Sequence, residues 1–423
     1  MRSMSPKPLR GIRDYPPEEY ERLEGIRALF SDLARTYGFK LMEPAPMEAL
    51  ETLEAKSGPA IREEIYHFKD KGGRNVGLRF DLTVGLTRYA SSDRGAPLPI
   101  KLGAFGGVWR YDEPQHARYR WFYQWDIETY GCRNPEADAE MVEFTSHLLR
   151  KAGVHEHIVK VGDRRVVQEY IEKKLNYEGE RAVELMRALD KVDKKDRDEL
   201  RSEYASKGFE EGTLERLLEF GSIEGPTQKA LKKLEEEGLD STAQLAELCD
   251  QLAQGKAKYE VSMKVVRGID YYTSTVYEAL DLRNPELGAL AGGGRYDLLP
   301  RIFSRPDLPA TGVAGGVERL MMSLGGAASA VMKMDRPVYV ACAGGMTNQA
   351  LSIAAELRSR DVVTFTDIQR RNLGKQLEDA VRCKARKVVI VAPEEFGRGK
   401  LIVRDMDSHT EELIEKEKLS SLL

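Results

Sequence analysis

Residues 120–129 constrain the fold more than any other stretch of the chain. Taking every second residue gives Arg120, Phe122, Gln124, Asp126 and Glu128; the alternate set is Trp121, Tyr123, Trp125, Ile127 and Thr129. Strand side chains point to opposite faces with period two, so this segment predicts a strand with one polar and one aromatic face. The aromatic face suits a core. The polar face sets an Arg, an amide and two carboxylates in a row, and Arg110 on a neighbouring strand can join them. Such a row either holds a charged polar ligand or is a solvated face with cross-strand ion pairs, and the stretch alone leaves both open.

The surrounding pattern predicts mixed α and β structure. Pro16 and Pro17 open a helix to about Tyr37, with Leu23, Ile26, Phe30 and Leu33 at helical spacing and Gly38 as its stop. Residues 39–48 read as extended; 66–69 and 75–80 flank Lys71-Gly72-Gly73 as a hairpin; Asp81-Leu82-Thr83 then leads into a helix. Another helix is expected over 135–151. Residues 163–250, dense in Lys, Glu, Leu and Arg, keep helical spacing and predict an inserted helical domain. The β pattern returns from Tyr259, a helix starts near Gly315, and 325–335 read as a linker. Apolar strands at 338–341, 362–365 and 388–391 alternate with helices, which predicts a C-terminal α/β domain ending strand, strand, helix.

Composition narrows the function classes. Net charge is −4 over 423 residues, so nucleic-acid contact must come from local patches rather than a global basic field. Cys132, Cys249, Cys342 and Cys383 are far apart, which argues against a CxxC knuckle or a disulfide framework and fits a reducing compartment. The histidines show no ligand spacing, so no metal site is expected from a side-chain cluster. No apolar run nears 18 residues and no signal-like start is present, so a cytoplasmic protein without a membrane anchor is expected.

Three further motifs carry chemistry. Arg267-Gly268-Ile269-Asp270-Tyr271-Tyr272 offers a guanidinium fork and hydroxyls, or is a turn with an ion pair. Gly292-Gly293-Gly294-Arg295-Tyr296-Asp297 permits close approach of backbone or ligand, and lacks the GxGxxG spacing of a dinucleotide fingerprint. Small residues from Thr311 to Gly316 lead into a helix with Arg319 in its first turn, where a cation opposes the helix dipole by about a few tenths of a kcal/mol. An anion such as a triphosphate at that end offsets the cost; pairing with Glu318 is the alternative. Asp81, Asp126 and Glu128 read as acid/base groups, Mg2+ ligands or partners of arginines.

In order and over nearly the whole chain, these motifs resemble class II aminoacyl-tRNA synthetases, and within them the histidyl-tRNA synthetase family. Arg110–Glu128 is similar to the second class signature and Gly315–Leu320 to the third, while Pro44 stands where the first has its dimer-interface proline. Arg267–Tyr272 and Gly293–Asp297 resemble elements specific to the histidine enzyme. The resemblance implies an α+β catalytic domain on an antiparallel sheet (1–160 and 256–328), an inserted helical domain (161–255) and an α/β anticodon-binding domain (336–423). It implies a cytoplasmic homodimer acting on L-histidine, tRNA(His) and ATP with Mg2+, through a histidyl-adenylate. Arg110 and Arg319 would grip the ATP phosphates. Arg267 would contact the α-phosphate and the histidine carboxylate, where related enzymes often use a metal; with Arg110 it would be catalytic. Glu128 and Tyr272 would hold the ring nitrogens, Asp81, Thr83 and Gln124 the α-amino group, and Tyr296 would line the same pocket. Gln115, Arg118 and Arg120 would face ATP and the tRNA acceptor end.

The chain departs from the family pattern at Gly85, where Pro is frequent, and at Glu113 and Trp121, where other polar residues are common. The alternative reading is a non-catalytic, histidine-sensing regulatory paralogue. That paralogue is expected to lack the C-terminal domain and the arginine at 267, and this sequence has both.

Overall fold

The structure is a computed structural model that describes residues 7–57, 59–111, 119–192, 195–267, 271–325 and 336–419. It divides into two compact units, 1–332 and 333–423. The expected linker at 325–335 lies outside the described residues except for Gly325.

In chain order the strands of the first unit are β1 (Lys40–Leu41), β2 (Met47–Ala49), β3 (His67–Lys69), β4 (Asn75–Leu78), β5 (Ile100–Trp109), β6 (Trp121–Tyr130), β7 (His157–Asp163), β8 (Glu224–Gly225), β9 (Tyr259–Ser262), β10 (Thr275–Asp281), β11 (Ala289–Arg295) and β12 (Ala310–Gly316). Nine of them form one sheet in the order β1-β5-β6-β12-β11-β10-β7-β9-β8. Only the β1–β5 and β7–β9 pairs are parallel, so the centre of the sheet is antiparallel as expected. The hairpin expected at 66–80 forms as β3–β4 and belongs to a separate three-stranded sheet.

Helices α1 (Pro17–Thr36), α2 (Leu50–Ser57), α3 (Thr83–Ser92) and α4 (Pro135–Ala152) precede the helical stretch. Proline at the start of α1 and α4 costs no hydrogen bond there, and Gly153 in the left-handed region closes α4. The aromatic face of β6 meets α1 and α4: Phe30 lies about 6 Å from the rings of Phe105, Trp125 and Phe144, and Trp125 and Ile127 are fully buried. The opposite face packs α3 at one end, through Leu82, Leu86 and Ala90 against Leu102 and Tyr130, and stays open beyond it.

Six helices fill 164–252: α5 (Arg164–Lys174), α6 (Gly179–Lys191), α7 (Arg197–Ser206), α8 (Thr213–Gly221), α9 (Thr227–Glu236) and α10 (Thr242–Leu252). Their buried residues join the cluster that contains Trp125. The short α11 (Leu299–Ile302) and α12 (Val317–Leu324) complete the unit. No helix among the described residues is long and apolar enough to cross a membrane.

The second unit runs β13 (Val338–Cys342), α13 (Thr347–Arg358), β14 (Thr364–Thr366), α14 (Leu373–Arg382), β15 (Lys387–Val391), α15 (Pro393–Gly397), β16 (Lys400–Asp405) and β17 (Glu411–Glu415), in the sheet order β14-β13-β15-β16-β17. After Val391 one strand and then a helix were expected; two strands, β16 and β17, stand there, followed by the 3-10 turn Lys416–Lys418, and 420–423 lie outside the described residues. Glu411–Glu415 pairs with β16 along its whole length and buries only Ile414, so ladder pairing overrides the helix propensity of a Glu/Lys-rich run.

Phe30→Ala empties the centre of an aromatic cluster with nothing small to collapse into it. Urea unfolding should show a loss of about 3–5 kcal/mol; a loss below about 1 kcal/mol would contradict this packing.

Candidate active site

The polar face of β6 forms the floor of a cavity of about 660 Å3. Register explains how a sheet can hold one. Glu128 is paired with Gly312 of β12, Asp126 with Ala314 and Gln124 with Gly316. On β11, Gly294 and Gly292 continue those rows. A strip of glycine and alanine therefore runs beside the polar row, and long side chains lie flat across it.

Two contacts require glycine. A Cβ at Gly312 would overlap the Glu128 carboxylate, and one at Gly292 would overlap the Arg267 guanidinium. Glu128 is 1% exposed and accepts a hydrogen bond from the Tyr296 hydroxyl. Tyr271 stacks on Tyr296 at 4.9 Å and meets Tyr272 edge-on at 4.7 Å. Burial, with the Glu128 charge added, pushes the Tyr296 and Tyr271 hydroxyls well above the usual phenol range, so they stay protonated donors.

Beside this deep end, the Thr83 hydroxyl donates to Asp126 at 3.2 Å, and Asp81 accepts from the Val84 backbone at the start of α3 at 3.3 Å. The Gln124 side-chain oxygen is buried and has no partner among the described residues. Asp126, expected on the ligand face, is fully buried and does not line the cavity, since Thr83 covers it.

Three guanidinium groups border the same cavity, each anchored. Arg267 pairs with Glu278 at 2.7 Å. Arg110, one residue past β5, donates from Nε to the Phe80 carbonyl at 3.0 Å and lies 5.1 Å from the Phe122 ring. Arg319 donates to the Ala289 carbonyl at 2.7 Å. Asp81, Thr83, Gln124, Glu128, Tyr272 and Tyr296 line the cavity with them. Arg120 does not; its backbone N–H donates to Gly11 at 2.7 Å and its guanidinium lies 4.3 Å from the Tyr111 ring. Gln115 and Arg118, and Gly268–Asp270 of the arginine motif, lie outside the described residues.

The sequence reading missed Glu278 and gave Glu318 only as a partner for Arg319. Glu318 instead accepts from the Tyr15 hydroxyl and from the Tyr123 backbone at 2.8 Å, which leaves Oε2 buried without a partner among the described residues. Arg13 sits between the rings of Tyr15 and Tyr119 at 4.5 and 4.4 Å and ties the start of the chain to this wall. Two departures now have a reason. Trp121 packs edge-on against Tyr15 at 5.4 Å, and Gly85 lets α3 approach Pro44, whose Cβ would lie 2.7 Å from an added one. Glu113 lies outside the described residues.

On the opposite face of the sheet, Arg295 pairs with Asp138 at 2.7 Å and donates to the Cys132 carbonyl at 2.8 Å. Thr311 donates to Asp138 at 2.6 Å, and Tyr277 donates to the Gly312 carbonyl at 3.0 Å. Arg295 and Thr311 are register partners, so this network fixes β11 against β12 one residue from Tyr296 and Gly312. Among the described residues no cluster of three or more His, Cys, Asp or Glu could hold a metal.

Residues 11–320 match the family model for histidyl-tRNA synthetase, and 337–423 match the model for an anticodon binding domain. The chain is 36% identical over 409 residues to the histidine–tRNA ligase of Pyrobaculum islandicum, covering 96% of this chain and 95% of that one. It is 34% identical to the Pyrococcus horikoshii ligase, covering 95% and 94%. The crystal structure of histidyl-tRNA synthetase from Nostoc superposes with a TM-score of 0.84 at 21% identity, over 99% of both chains. The fold is that of a class II aminoacyl-tRNA synthetase, and the relatives place the chain in that enzyme class. Within that class, the chain belongs to the histidyl-tRNA synthetase family.

Burial raises the Glu318 carboxyl above its usual 4.5, against the Tyr15 and Tyr123 hydrogen bonds that lower it. The folded chain therefore holds a proton that the unfolded chain releases. The resulting stability is full below the unfolded value and lost as pH rises through the folded one. Thermal melts from pH 4 to 7 should show wild type losing stability relative to Glu318→Gln as pH rises; a gain would contradict the buried carboxyl.

Proposed function

We infer that the chain ligates L-histidine to tRNA(His) through a histidyl-adenylate, with ATP entering as its Mg2+ complex. One observation carries the reading: a buried carboxylate braced by a phenol lies in the same cavity as three anchored guanidinium groups. The alternative, a regulatory paralogue that binds histidine without activating it, is disfavoured by Arg267 on that cavity and by the anticodon-domain match at 337–423.

The chemistry needs few groups. A histidine carboxylate oxygen bonds to the α-phosphorus while the bond to the bridging oxygen breaks and pyrophosphate leaves with that electron pair. Two anions must meet, so fixed cations at Arg110, Arg267 and Arg319 offset the repulsion and stabilise charge in the transition state. The nucleophile is already ionised and no base is required. A ribose hydroxyl of tRNA then attacks the acyl carbon, and AMP departs with the electron pair of the broken acyl–oxygen bond while its phosphate takes up the hydroxyl proton. Glu128 and the Tyr272 hydroxyl take the ring nitrogens, with Tyr296 holding the carboxylate in place. Asp81, Thr83 and Gln124 receive the ammonium, for which the unpartnered Gln124 oxygen is an acceptor. An apolar competitor leaves these groups unpaired, which discriminates by roughly 10⁴-fold or more.

The insertion at 161–255 is assigned to the acceptor arm and 336–423 to the anticodon, with Gln115, Arg118 and Arg120 at the acceptor end. We assign a cytoplasmic homodimer.

Arg267→Ala should lower histidine-dependent ATP–pyrophosphate exchange by about 10²-fold or more with an unchanged melting temperature; retained exchange would remove its assigned role. Glu128→Ala should raise the KM for histidine by about 50-fold or more and leave the KM for ATP within about twofold. Equal rises in both would count against a contact to the imidazole.

A further inference from the structure

Tyr272, the residue assigned to one imidazole nitrogen, stands before β10 begins at Thr275. Its backbone lies outside the strand ladder, so other contacts must fix it. The ring rests on the bare backbone of β11, where a Cβ at Gly294 would come within 2.9 Å of Tyr272 Cδ1. The next residue, Thr273, donates its N–H to the Arg295 carbonyl at 2.7 Å. A further grip comes from the inserted helices. Arg164, the first residue of α5, donates from Nη1 to the Tyr272 carbonyl, and its backbone N–H donates to the Ser274 carbonyl at 3.1 Å.

A guanidinium is costly at this place. Arg164 is 7% exposed, and burial disfavours a charge. A cation in the first turn of a helix also opposes the dipole, and the first turn of α5 holds no acidic residue to offset it. The capping carboxylate of Asp163 accepts from the Arg165 N–H at 2.9 Å and pairs with the Arg165 guanidinium. A cation set against both burial and the dipole points to the contact it makes rather than to helix stability.

The helix that carries Arg164 is itself fixed within the insertion. Tyr170 of α5 stacks on Phe220 of α8 at 3.9 Å, and Val166, Val167 and Ile171 are fully buried in the shared core. Arg164 therefore carries the placement of the inserted helices to a residue of the histidine pocket, which Tyr272 lines. A small shift of the Tyr272 carbonyl is passed to the hydroxyl at the far end of its ring, and hydrogen bonds weaken steeply with misalignment.

We propose that Arg164 is a positioning residue for histidine recognition, through which the inserted domain takes part in selecting the amino acid. The inference rests on the tRNA ligase reading and deepens it: the insertion assigned to the acceptor arm also shapes the imidazole site.

Histidine-dependent ATP–pyrophosphate exchange by the full chain tests this without tRNA. Arg164→Met keeps the aliphatic stem and removes the donor. It should raise the KM for histidine about tenfold and leave kcat and the KM for ATP within about twofold. Arg164→Gln, a polar variant too short to reach the carbonyl, should show the same split if Met is not tolerated in the fold. Arg164→Lys restores a donor and should return the histidine KM to within about threefold of wild type. On a Tyr272→Phe background, Arg164→Met should add less than about twofold, because the hydroxyl it positions is already gone. An unchanged histidine KM, equal rises in both KM values, or a full tenfold rise on the Tyr272→Phe background overturns the proposal. A wild-type chain without histidine-dependent exchange overturns the ligase reading instead, before any substitution is made.

Discussion

The contact of the Glu128 carboxylate with the bare backbone of Gly312 is the constraint on which the site depends. A sheet ordinarily fills both faces with side chains. Here β11 and β12 give up theirs along one strip, and charged groups from β6 and from Arg267 lie across the backbone instead. Glycine weakens strands by conformational entropy and by lost packing. The opposite face compensates: Arg295, Asp138, Thr311 and Tyr277 lock the register of the two glycine-rich strands. A buried pair of this kind contributes little net stability, yet removing one partner costs about 3–5 kcal/mol because the other stays buried and charged. Its value lies in fixing where Gly312 and Tyr296 stand.

The cavity separates two electrostatic tasks. At its deep end one carboxylate is surrounded by phenols that burial keeps protonated, a setting that accepts N–H donors. Along its border, guanidinium groups are held by Glu278 and by the carbonyls of Phe80 and Ala289. These anchors orient the cations before any anion arrives, so little reorganisation is left for the reaction itself. Glu318 links this border to the start of the chain through Tyr15 and Arg13, so a segment remote in sequence braces the wall from behind.

Much of this was legible in the sequence where the signal was local. The period of two in 120–129 separated Trp125 and Ile127, which are core, from Gln124 and Glu128, which line the cavity. Asp126 obeyed the same alternation and was still misplaced, because only the fold brings Thr83 over it. The run Gly292–Gly294 read as a close approach of backbone or ligand, and its use depended on pairing with β12, which no local pattern encodes. Glu278 was missed because a lone acid in a strand looks like a solvated face; its pairing with Arg267 spans a loop. The final strand was missed because its composition favours a helix and its pairing with β16 decided otherwise.

The central claim is that one cavity selects imidazole and activates the amino acid that carries it. Amino-acid-dependent ATP–pyrophosphate exchange, run separately with each of the twenty amino acids, tests it most directly. Exchange above background with histidine alone is the predicted result. Exchange with a different amino acid, or with none, would contradict the account.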